Sequence, residues 1–394
     1  MVKLKKFLLV LLVLFFIIGF TGILSFYILV IKGESTYLQN LWVTTAMSTM
    51  NHQWLATSFI DQETIDNIIE GNKVDDTNLK TDLSLINPQK TTQVIKDTVT
   101  KQTIQTVETP DKTFKEDTSN SSITVDGQYF FNEIDSYIQS MDVLFKEEKE
   151  EEPENKDEEY LAEGYEKLEE GLFKKDVSGK GWKGHLLMVT DPSRVSLVQT
   201  RYQFERGDLI KTLVPLHNGI AGINAGGFVD GPNYDSNGGK PAGLLVINGE
   251  IIQSNGNMKH SVIGFNEDNI LVLGKMTKQE VIDAKIRDAV EFSPFLIVNN
   301  ELVDIRSGSG GIAPRTALGQ RVTGEVVYLC INGRMPSSVG CDIRTLRDVL
   351  AAEKCVNAAM VDGGSSSVMF YRDHYINKPS LGRERYTNNC WLIK

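Results

Sequence analysis

The chain has few histidines and cysteines and no excess of basic residues, so it lacks the usual patterns of metal sites, nucleic-acid-binding surfaces and serine-hydrolase triads. Its 394 residues include five histidines and four cysteines, and no two cysteines have Cys-x-x-Cys spacing, so the sequence predicts no metal site and no cofactor. Lys and Arg total 41 against 52 Asp and Glu, which argues against the clustered basic surface that nucleic-acid binding requires. A Gly-x-Ser-x-Gly motif is absent. The scattered histidines carry no motif either: His185, His217, His260 and His374.

The four cysteines leave two arrangements open. Outside the cell, Cys330, Cys341, Cys355 and Cys390 could form up to two disulfides in any of three pairings. They could instead stay as buried thiols, because free cysteine behaves as a small apolar residue. Cys330 lies in an apolar segment and Cys355 opens another, so the pattern favours buried thiols for these two.

Negative charge is concentrated in one stretch. Residues 141–170 contain fourteen Asp or Glu and four Lys, which is −10 of the net charge of −11. Residues 72–123 are rich in Thr, Asp, Lys and Gln and poor in large apolar side chains. Such segments bury too little apolar surface to offset the entropy of ordering. The composition therefore predicts an acidic, partly disordered stalk within residues 32–176.

A long apolar segment begins near the N-terminus. Three of the first six residues are lysines, and residues 7–31 contain no charge. At about 1.5 Å per helical residue, this segment can cross a hydrocarbon core of about 30 Å. Because lysines precede it and only Lys32 follows closely, we expect residues 1–6 in the cytoplasm and the C-terminal domain outside. The lack of a small-x-small site favours a single-pass signal anchor over a cleaved signal peptide.

Residues 37–71 have apolar positions at helical spacing. Asp61 is placed to cap a short helix that Gly71 ends. This region could lie on the membrane or pack on a partner, but the pattern favours a helical spacer.

From Val177 onward, short strands replace the helical and acidic patterns. Asn248-Gly249 predicts a hairpin over residues 244–253, and residues 261–265 and 270–274 predict another. Many strands with few helices indicate an α+β fold, with a mixed, mainly antiparallel sheet in residues 177–394.

Two helices are predicted within this region. Thr277 and Glu280 have capping-box spacing, which predicts a helix to about Arg287. Asp342 is placed to cap a second helix that runs to about Lys354.

Three polar loops follow or open apolar segments. The first spans residues 222–230, the second spans 311–319 and includes Arg315, and the third delivers Asp362 into two glycines and three serines. Glycines let successive N–H groups converge on an anion, and arginine suits a phosphate. Three such loops predict the rim of one pocket.

These loops carry motifs that resemble the phosphodiester glycosidase family. The motifs are Asn-x-Gly-Gly-Phe (224–228), Ala-Pro-Arg-Thr-Ala-Leu-Gly (313–319) and Val-Asp-Gly-Gly-Ser-Ser-Ser (361–367), in this order. The resemblance covers about residues 179–394. It implies hydrolysis of a sugar-1-phosphodiester linkage. Because bacterial relatives are commonly labelled exopolysaccharide biosynthesis proteins, the implied substrate is a phosphorylated cell-surface glycan, such as one of the cell wall, or its precursor.

Site roles follow from the motifs together with the resemblance. Asp362 is the first choice for nucleophile or general base, and Arg315 for holding the phosphate. Glu384 and Asp230 compete as a second carboxylate. The predicted substrate-binding residues are Asn224, Gly226, Gly227, Thr316, Arg334, Gly363, Gly364, Ser365 and Ser366.

Two positions depart from the family pattern. Relatives often carry Asp-Gly-Arg where this chain has Asn332-Gly333-Arg334, and paired aromatics where it has Phe228-Val229. The first change removes a possible carboxylate. A non-catalytic glycan-binding or exopolysaccharide assembly protein and a phosphoglycan transferase therefore stand as alternatives to a hydrolase. Purely structural roles are also open for two of these residues: Arg315 could pair with Glu384, and Asn224 could cap a turn.

Overall fold

The computed structural model describes residues 2–49, 52–87, 156–230, 236–256 and 258–394. Most of the predicted stalk lies outside these ranges. Of the described residues, those before 88 and those from 167 to 394 belong to one compact unit, and residues 156–166 belong to a second. The α-helices of the described residues are α1 (Val2–Phe26), α2 (Thr36–Met47), α3 (Trp54–Thr57), α4 (Gln62–Gly71), α5 (Lys156–Ala162), α6 (Ile210–Leu216), α7 (Lys278–Asp283) and α8 (Ile343–Ala352).

The N-terminal apolar segment is helical throughout. Helix α1 continues as a π-helix over Tyr27–Ile31, and the 26 residues Lys6–Ile31 are long and apolar enough to cross a membrane. A segment of this kind serves either as a membrane span or as a signal sequence.

Helices α2 to α4 and the residues that follow pack against the C-terminal domain, whereas the sequence favoured a spacer. The Thr44 hydroxyl donates to the Gly308 carbonyl at 3.0 Å, and the Ile312 N–H donates to the Thr45 hydroxyl at 3.0 Å. Farther along, the Thr81 N–H donates to the Leu273 carbonyl at 2.9 Å. These contacts join residues more than 190 positions apart, which local patterns do not reveal.

The strands of the described residues form three sheets, and the pairs that β13, β14 and β5 make with their neighbours are antiparallel. The sheet orders are β1-β2-β3-β14-β13-β15-β11-β12, β7-β6-β10-β8-β9 and β17-β16-β5-β18-β4. The strands are β1 (Glu166–Glu169), β2 (Leu172–Gly179), β3 (Trp182–Val189), β4 (Val195–Gln199), β5 (Ala221–Asn224), β6 (Leu245–Ile247), β7 (Glu250–Gln253), β8 (His260–Asn266), β9 (Leu271–Met276), β10 (Ile286–Glu291), β11 (Phe295–Val298), β12 (Glu301–Leu302), β13 (Arg315–Arg321), β14 (Val326–Ile331), β15 (Cys355–Val361), β16 (Met369–Tyr371), β17 (His374–Tyr375) and β18 (Asn389–Ile393). This confirms the predicted α+β fold.

Turn and capping motifs in the sequence correctly predicted both hairpins and the starts of three helices. Both predicted hairpins form, as β6–β7 and β8–β9, and Asn248 and Gly249 both have positive φ. Asp61 and Asp342 cap α4 and α8 by accepting backbone N–H groups at 2.8 Å. Helix α7 has its capping box but ends at Asp283 rather than near Arg287. The reason is that the next residues enter β10.

The four cysteines are free thiols, and all are buried. Burial raises the pKa of Cys330 and of Cys341 to about 12. The preference for buried thiols at Cys330 and Cys355 is confirmed.

Pairing between β13 and β15 brings two of the motif loops together. Thr316, at the start of β13, is opposite Val361, at the end of β15. In antiparallel strands the beginning of one lies beside the end of the other. Strand β5 of another sheet ends at Asn224, and its asparagine side chain links to both β13 and the loop after β15.

Candidate active site

The loops after β5 and β15 and the start of β13 line one cavity of about 1320 Å³. It is larger than the roughly 300–1,000 Å³ typical of small-molecule sites. From the predicted site set, the cavity wall includes Gly227, Asp230, Arg315, Arg334, Asp362, Gly363, Gly364, Ser365 and Ser366.

Asp362 is the central carboxylate of this cavity. It is half-buried, and it accepts hydrogen bonds from the Ser366 side chain and the Gly363 N–H. Burial, the largest influence, raises its pKa to about 6, and nearby Asp230 adds to the rise. The two hydrogen bonds and the positive charge of Arg385 oppose it. At neutral pH the group is therefore mostly ionised yet close to its titration range, as suits a general base or nucleophile.

The loop after Asp362 depends on a glycine conformation. Gly364 has φ of +61°, and its N–H donates to the Pro314 carbonyl at 2.8 Å. A Cβ at Gly364 would lie 3.4 Å from Nη2 of Arg334. The glycine thus lets the guanidinium of Arg334 approach the loop backbone.

Arg334 is a cation available to a ligand. Among the described residues, no hydrogen bond or ion pair to its guanidinium is seen, and burial alone lowers its pKa. A guanidinium without a counterion at a cavity wall is suited to a phosphate, which can accept two parallel N–H bonds.

Arg315 also reaches the cavity wall, but backbone carbonyls occupy most of its guanidinium. Its Nε donates to the Cys341 carbonyl at 3.3 Å, and its Nη2 donates to the carbonyls of Gly310 and Gly311. The side chain is 7% exposed. Arg315 therefore holds the loop at 308–311, the loop on which α2 rests, and it does not pair with Glu384.

Asn224 and Thr316 lie behind the cavity wall and are buried. Asn224 donates to the Asp362 carbonyl at 2.6 Å and accepts from the Thr316 hydroxyl at 2.9 Å. It also accepts from the Val368 N–H at 3.0 Å. With these bonds the asparagine holds both ends of the Asp362 loop and positions it. Gly226 similarly donates its N–H to the Asn389 side chain at 2.7 Å.

The two candidates for a second carboxylate lie in different places. Asp230 lines the cavity and accepts from Arg385 at 2.6 Å, while the Arg385 guanidinium stacks 4.6 Å from the Phe228 ring centroid. Glu384 is outside the cavity wall, where it accepts from the Ile210 N–H at the start of α6 and from the Tyr375 hydroxyl at 2.9 Å. Burial raises the pKa of Glu384 to about 7. The structure brings Asp230, and not Glu384, to Asp362.

Asn332 has a scaffold position. It is buried, its Nδ2 lies 3.1 Å from the His185 ring, and its Oδ1 accepts from the Lys378 N–H at 2.8 Å. Asn332 is not among the residues that line the cavity.

A buried histidine forms a separate polar cluster. His260 Nδ1 lies 2.6 Å from Glu291 Oε2, and its Nε2 lies 3.1 Å from the Ser254 hydroxyl. This arrangement of hydroxyl, imidazole and carboxylate resembles a serine-hydrolase triad, but Ser254, His260 and Glu291 all lie outside the lining of the cavity beside Asp362.

Sequence reasoning missed two parts of the cavity wall. Arg385 follows Glu384 without a motif, so only the fold identifies it as the partner of Asp230. The other missed part comes from the N-terminal helices, including Phe26 and Trp42. The sequence indicates an apolar segment over residues 7–31 and helical spacing over residues 37–71, but the position of these helices against the site depends on long-range contacts.

Comparisons with known proteins point to the family that the motifs resemble. Residues 217–394 match the family model described as phosphodiester glycosidase. The chain is 24% identical over 244 residues to the N-acetylglucosamine-1-phosphodiester alpha-N-acetylglucosaminidase of Mus musculus, covering 56% of this chain and 45% of the mouse protein. It is 39% identical over 72 residues to the SPbeta prophage-derived uncharacterized protein YomE of Bacillus subtilis strain 168, covering 18% of this chain and 11% of that protein.

A similar solved structure is the zebrafish N-acetylglucosamine-1-phosphodiester alpha-N-acetylglucosaminidase catalytic domain, described as auto-inhibited by its pro-peptide. The match has 18% identity and a TM-score of 0.47 and covers 56% of this chain and 81% of that one. The chain spans less than half the length of the curated relatives it matches.

Proposed function

Because residues 217–394 form a phosphodiester glycosidase domain, we propose that this chain is a membrane-anchored, extracytoplasmic glycosidase. It hydrolyses a sugar-1-phosphodiester linkage in a cell-surface glycan or its precursor. The observation that carries the proposal is the presence of an ionisable carboxylate, Asp362, and an unpartnered guanidinium, Arg334, in one cavity.

The reaction breaks the bond between the sugar C1 and the bridging phosphate oxygen. The bonding electron pair leaves with that oxygen, a water oxygen forms the new bond to C1, and the water proton is accepted by a carboxylate. The leaving group is a phosphate monoester anion, which departs readily, so protonation by a general acid contributes less than in an ordinary glycosidase.

Asp362 supplies the carboxylate, either as the nucleophile or as the general base. Its pKa near 6 leaves it ionised at neutral pH, and the hydrogen bonds from Ser366 and Gly363 fix its orientation. Asp230 is the second carboxylate in this proposal, paired to Arg385.

Arg334 holds the phosphate in this proposal, in place of Arg315. Its guanidinium adjoins Gly364, so a phosphate bound beside both would meet a positive charge and the polar Gly363–Ser365 loop. Positive charge at the departing oxygens stabilises the transition state because negative charge grows there. Asn224 and Thr316 position this loop from behind the cavity wall, and Arg315 holds the loop at 308–311.

The test is sugar release from methyl-phosphoryl N-acetylglucosamine by the purified full chain. We expect Asp362→Asn to lower kcat/KM by about 10²–10⁴-fold and Arg334→Gln by about 10²–10³-fold. Arg344→Gln is the matched control, because Arg344 is half exposed on α8 and lies outside the cavity wall. Tight binding of the diester without any sugar release would favour the glycan-binding alternative, and sugar transfer to an added alcohol would favour a transferase.

A further inference from the structure

The cavity that contains Asp362 extends to the apolar N-terminal helix. Ser25, Phe26, Leu29 and Val30, all within the apolar segment Lys6–Ile31, line the same cavity as Asp362 and Arg334. If this segment spans a bilayer, one wall of the site belongs to the last turns of the span. The site then opens at the level of the outer boundary of the hydrocarbon core.

Specific contacts fix this arrangement. The Gln39 side chain donates to the Val30 carbonyl at 3.0 Å, and the rings of Phe26 and Trp42 meet edge to face with centroids 4.7 Å apart. On its other side α2 rests on Gly311, where an added Cβ would lie 2.4 Å from the Thr45 Cα. Helix α2 therefore connects the end of the apolar helix to the loop that Arg315 holds.

The two ends of the cavity differ in chemistry. Residues 7–49 contain only two charged residues, Lys32 and Glu34, and neither lines the cavity. Six of the ten wall residues from this region are apolar, Leu29, Leu38 and Trp42 among them, and the other four carry uncharged hydroxyls. The charged groups Asp362, Arg334 and the Asp230–Arg385 pair all come from the C-terminal domain. A single cavity that combines uncharged, largely apolar side chains from the N-terminal helices with charged groups from the C-terminal domain fits an amphiphile.

Aromatic side chains near the end of the apolar helix support its placement at an interface. Tyr27, Tyr37 and Trp54 are 46%, 56% and 55% exposed. Tyr and Trp are enriched where a bilayer meets water. Leu38, which lines the cavity, follows Tyr37 in the chain and is itself 37% exposed, so accessible apolar surface of the cavity lies next to one of these aromatic residues.

We infer that the substrate is a lipid-linked sugar, in which the phosphate joins the sugar C1 to a long-chain alcohol. This inference rests on the proposed function and specifies its leaving group. The hydrocarbon chain lies along α1 and α2, and the phosphate lies at Arg334. Attack of water at C1 then releases the free sugar and leaves the lipid monophosphate in the membrane.

A chain-length series tests this inference with the full chain in lipid nanodiscs. The substrates are methyl, butyl and hexyl esters of N-acetylglucosamine 1-phosphate, which share the sugar and the charge. Full burial of a methylene contributes up to about fourfold in binding, so we expect kcat/KM to rise at least about tenfold from methyl to hexyl. Equal kcat/KM across the series, with the enzyme active, would overturn the lipid assignment and leave the hydrolase proposal intact.

A matched pair of variants locates the effect. Leu38→Asn places an amide on the apolar wall and should lower the hexyl-to-methyl ratio at least about fivefold. Leu302→Asn makes the same change at a side chain that is 52% exposed on β12 and outside the cavity wall, so it should leave the ratio unchanged. Equal ratios in the two variants would contradict the proposed position of the chain.

Binding separates this inference from the hydrolase proposal. If no ester is hydrolysed, the proposed function fails, and calorimetric titration of Asp362→Asn with the methyl and hexyl esters decides the remaining question. At least about tenfold tighter binding of the hexyl ester supports a lipid-linked ligand, and equal affinity refutes it.

Discussion

Replacing Asp362 with asparagine should stabilise the protein while it removes activity. Burial raises the pKa of Asp362 from 3.8 to about 6, so the folded state disfavours the ionised carboxylate relative to the unfolded chain. A group with a raised acidic pKa costs stability as pH rises, and the full cost is present above the folded pKa. A shift of about two units corresponds to about 3 kcal/mol at about pH 8 and about half of that at about pH 5.

Asparagine removes the charge but keeps a similar shape. It also loses the attraction to Arg385 and part of the hydrogen bonding from Ser366 and Gly363, so the net gain should lie between about 1 and 3 kcal/mol at about pH 8. The assay is thermal unfolding of wild type and variant across the range from about pH 5 to about pH 8. A gain of this size raises Tm by about 2–4 °C per kcal/mol.

Asp373→Asn is the control for this experiment. The Asp373 side chain is 92% exposed, so removing its charge should leave Tm nearly unchanged at every pH. The reasoning would be refuted by an Asp362→Asn protein no more stable than wild type at about pH 8, or by a gain that fails to shrink as pH falls.

Three further outcomes follow from the site. The proposed function requires Asp362 to be ionised, and burial raises its pKa to about 6, so kcat/KM should fall about tenfold per pH unit below about pH 6; a flat profile down to about pH 4.5 would contradict this role. Arg315→Gln removes the side-chain donor from the carbonyls of Gly310 and Gly311, while the Cys341 carbonyl keeps the Ala313 N–H. The free energy of unfolding should therefore drop by about 2–4 kcal/mol, whereas Arg344→Gln should not change it. Glu384→Gln removes a buried charge whose pKa is about 7 and which lies outside the cavity wall, so kcat/KM should stay within about threefold while Tm rises above pH 7; a large loss of activity would place Glu384 in the chemistry.

Local signals predicted much of the fold because they depend on neighbours in sequence. Asn248-Gly249 set one hairpin, and Thr277 and Asp342 capped their helices as their spacing indicated. Strand β13 was harder to recognise, since its residues were read as a polar motif although the strand is buried along its whole length. Its burial comes from β14 and β15 on either side, which the residues of β13 alone do not encode.

The site was predictable in composition but less so in roles. The three loops were expected around one pocket, and Asp362 lies on its wall with Arg334. Sequence could not distinguish Arg315 from Arg334, because the difference lies in backbone carbonyls that only the folded chain brings to Arg315. In the same way, Thr44 and Gly308 meet across 264 positions, so the helices predicted as a spacer could not be assigned to the cavity wall.

Hydrolysis of methyl-phosphoryl N-acetylglucosamine in water labelled with oxygen-18 tests the proposed chemistry most directly. If water attacks C1 with Asp362 as its carboxylate, the label must appear in the released sugar and not in methyl phosphate. Label in the phosphate would mean that the P–O bond breaks instead, and it would contradict a glycosidase at this site.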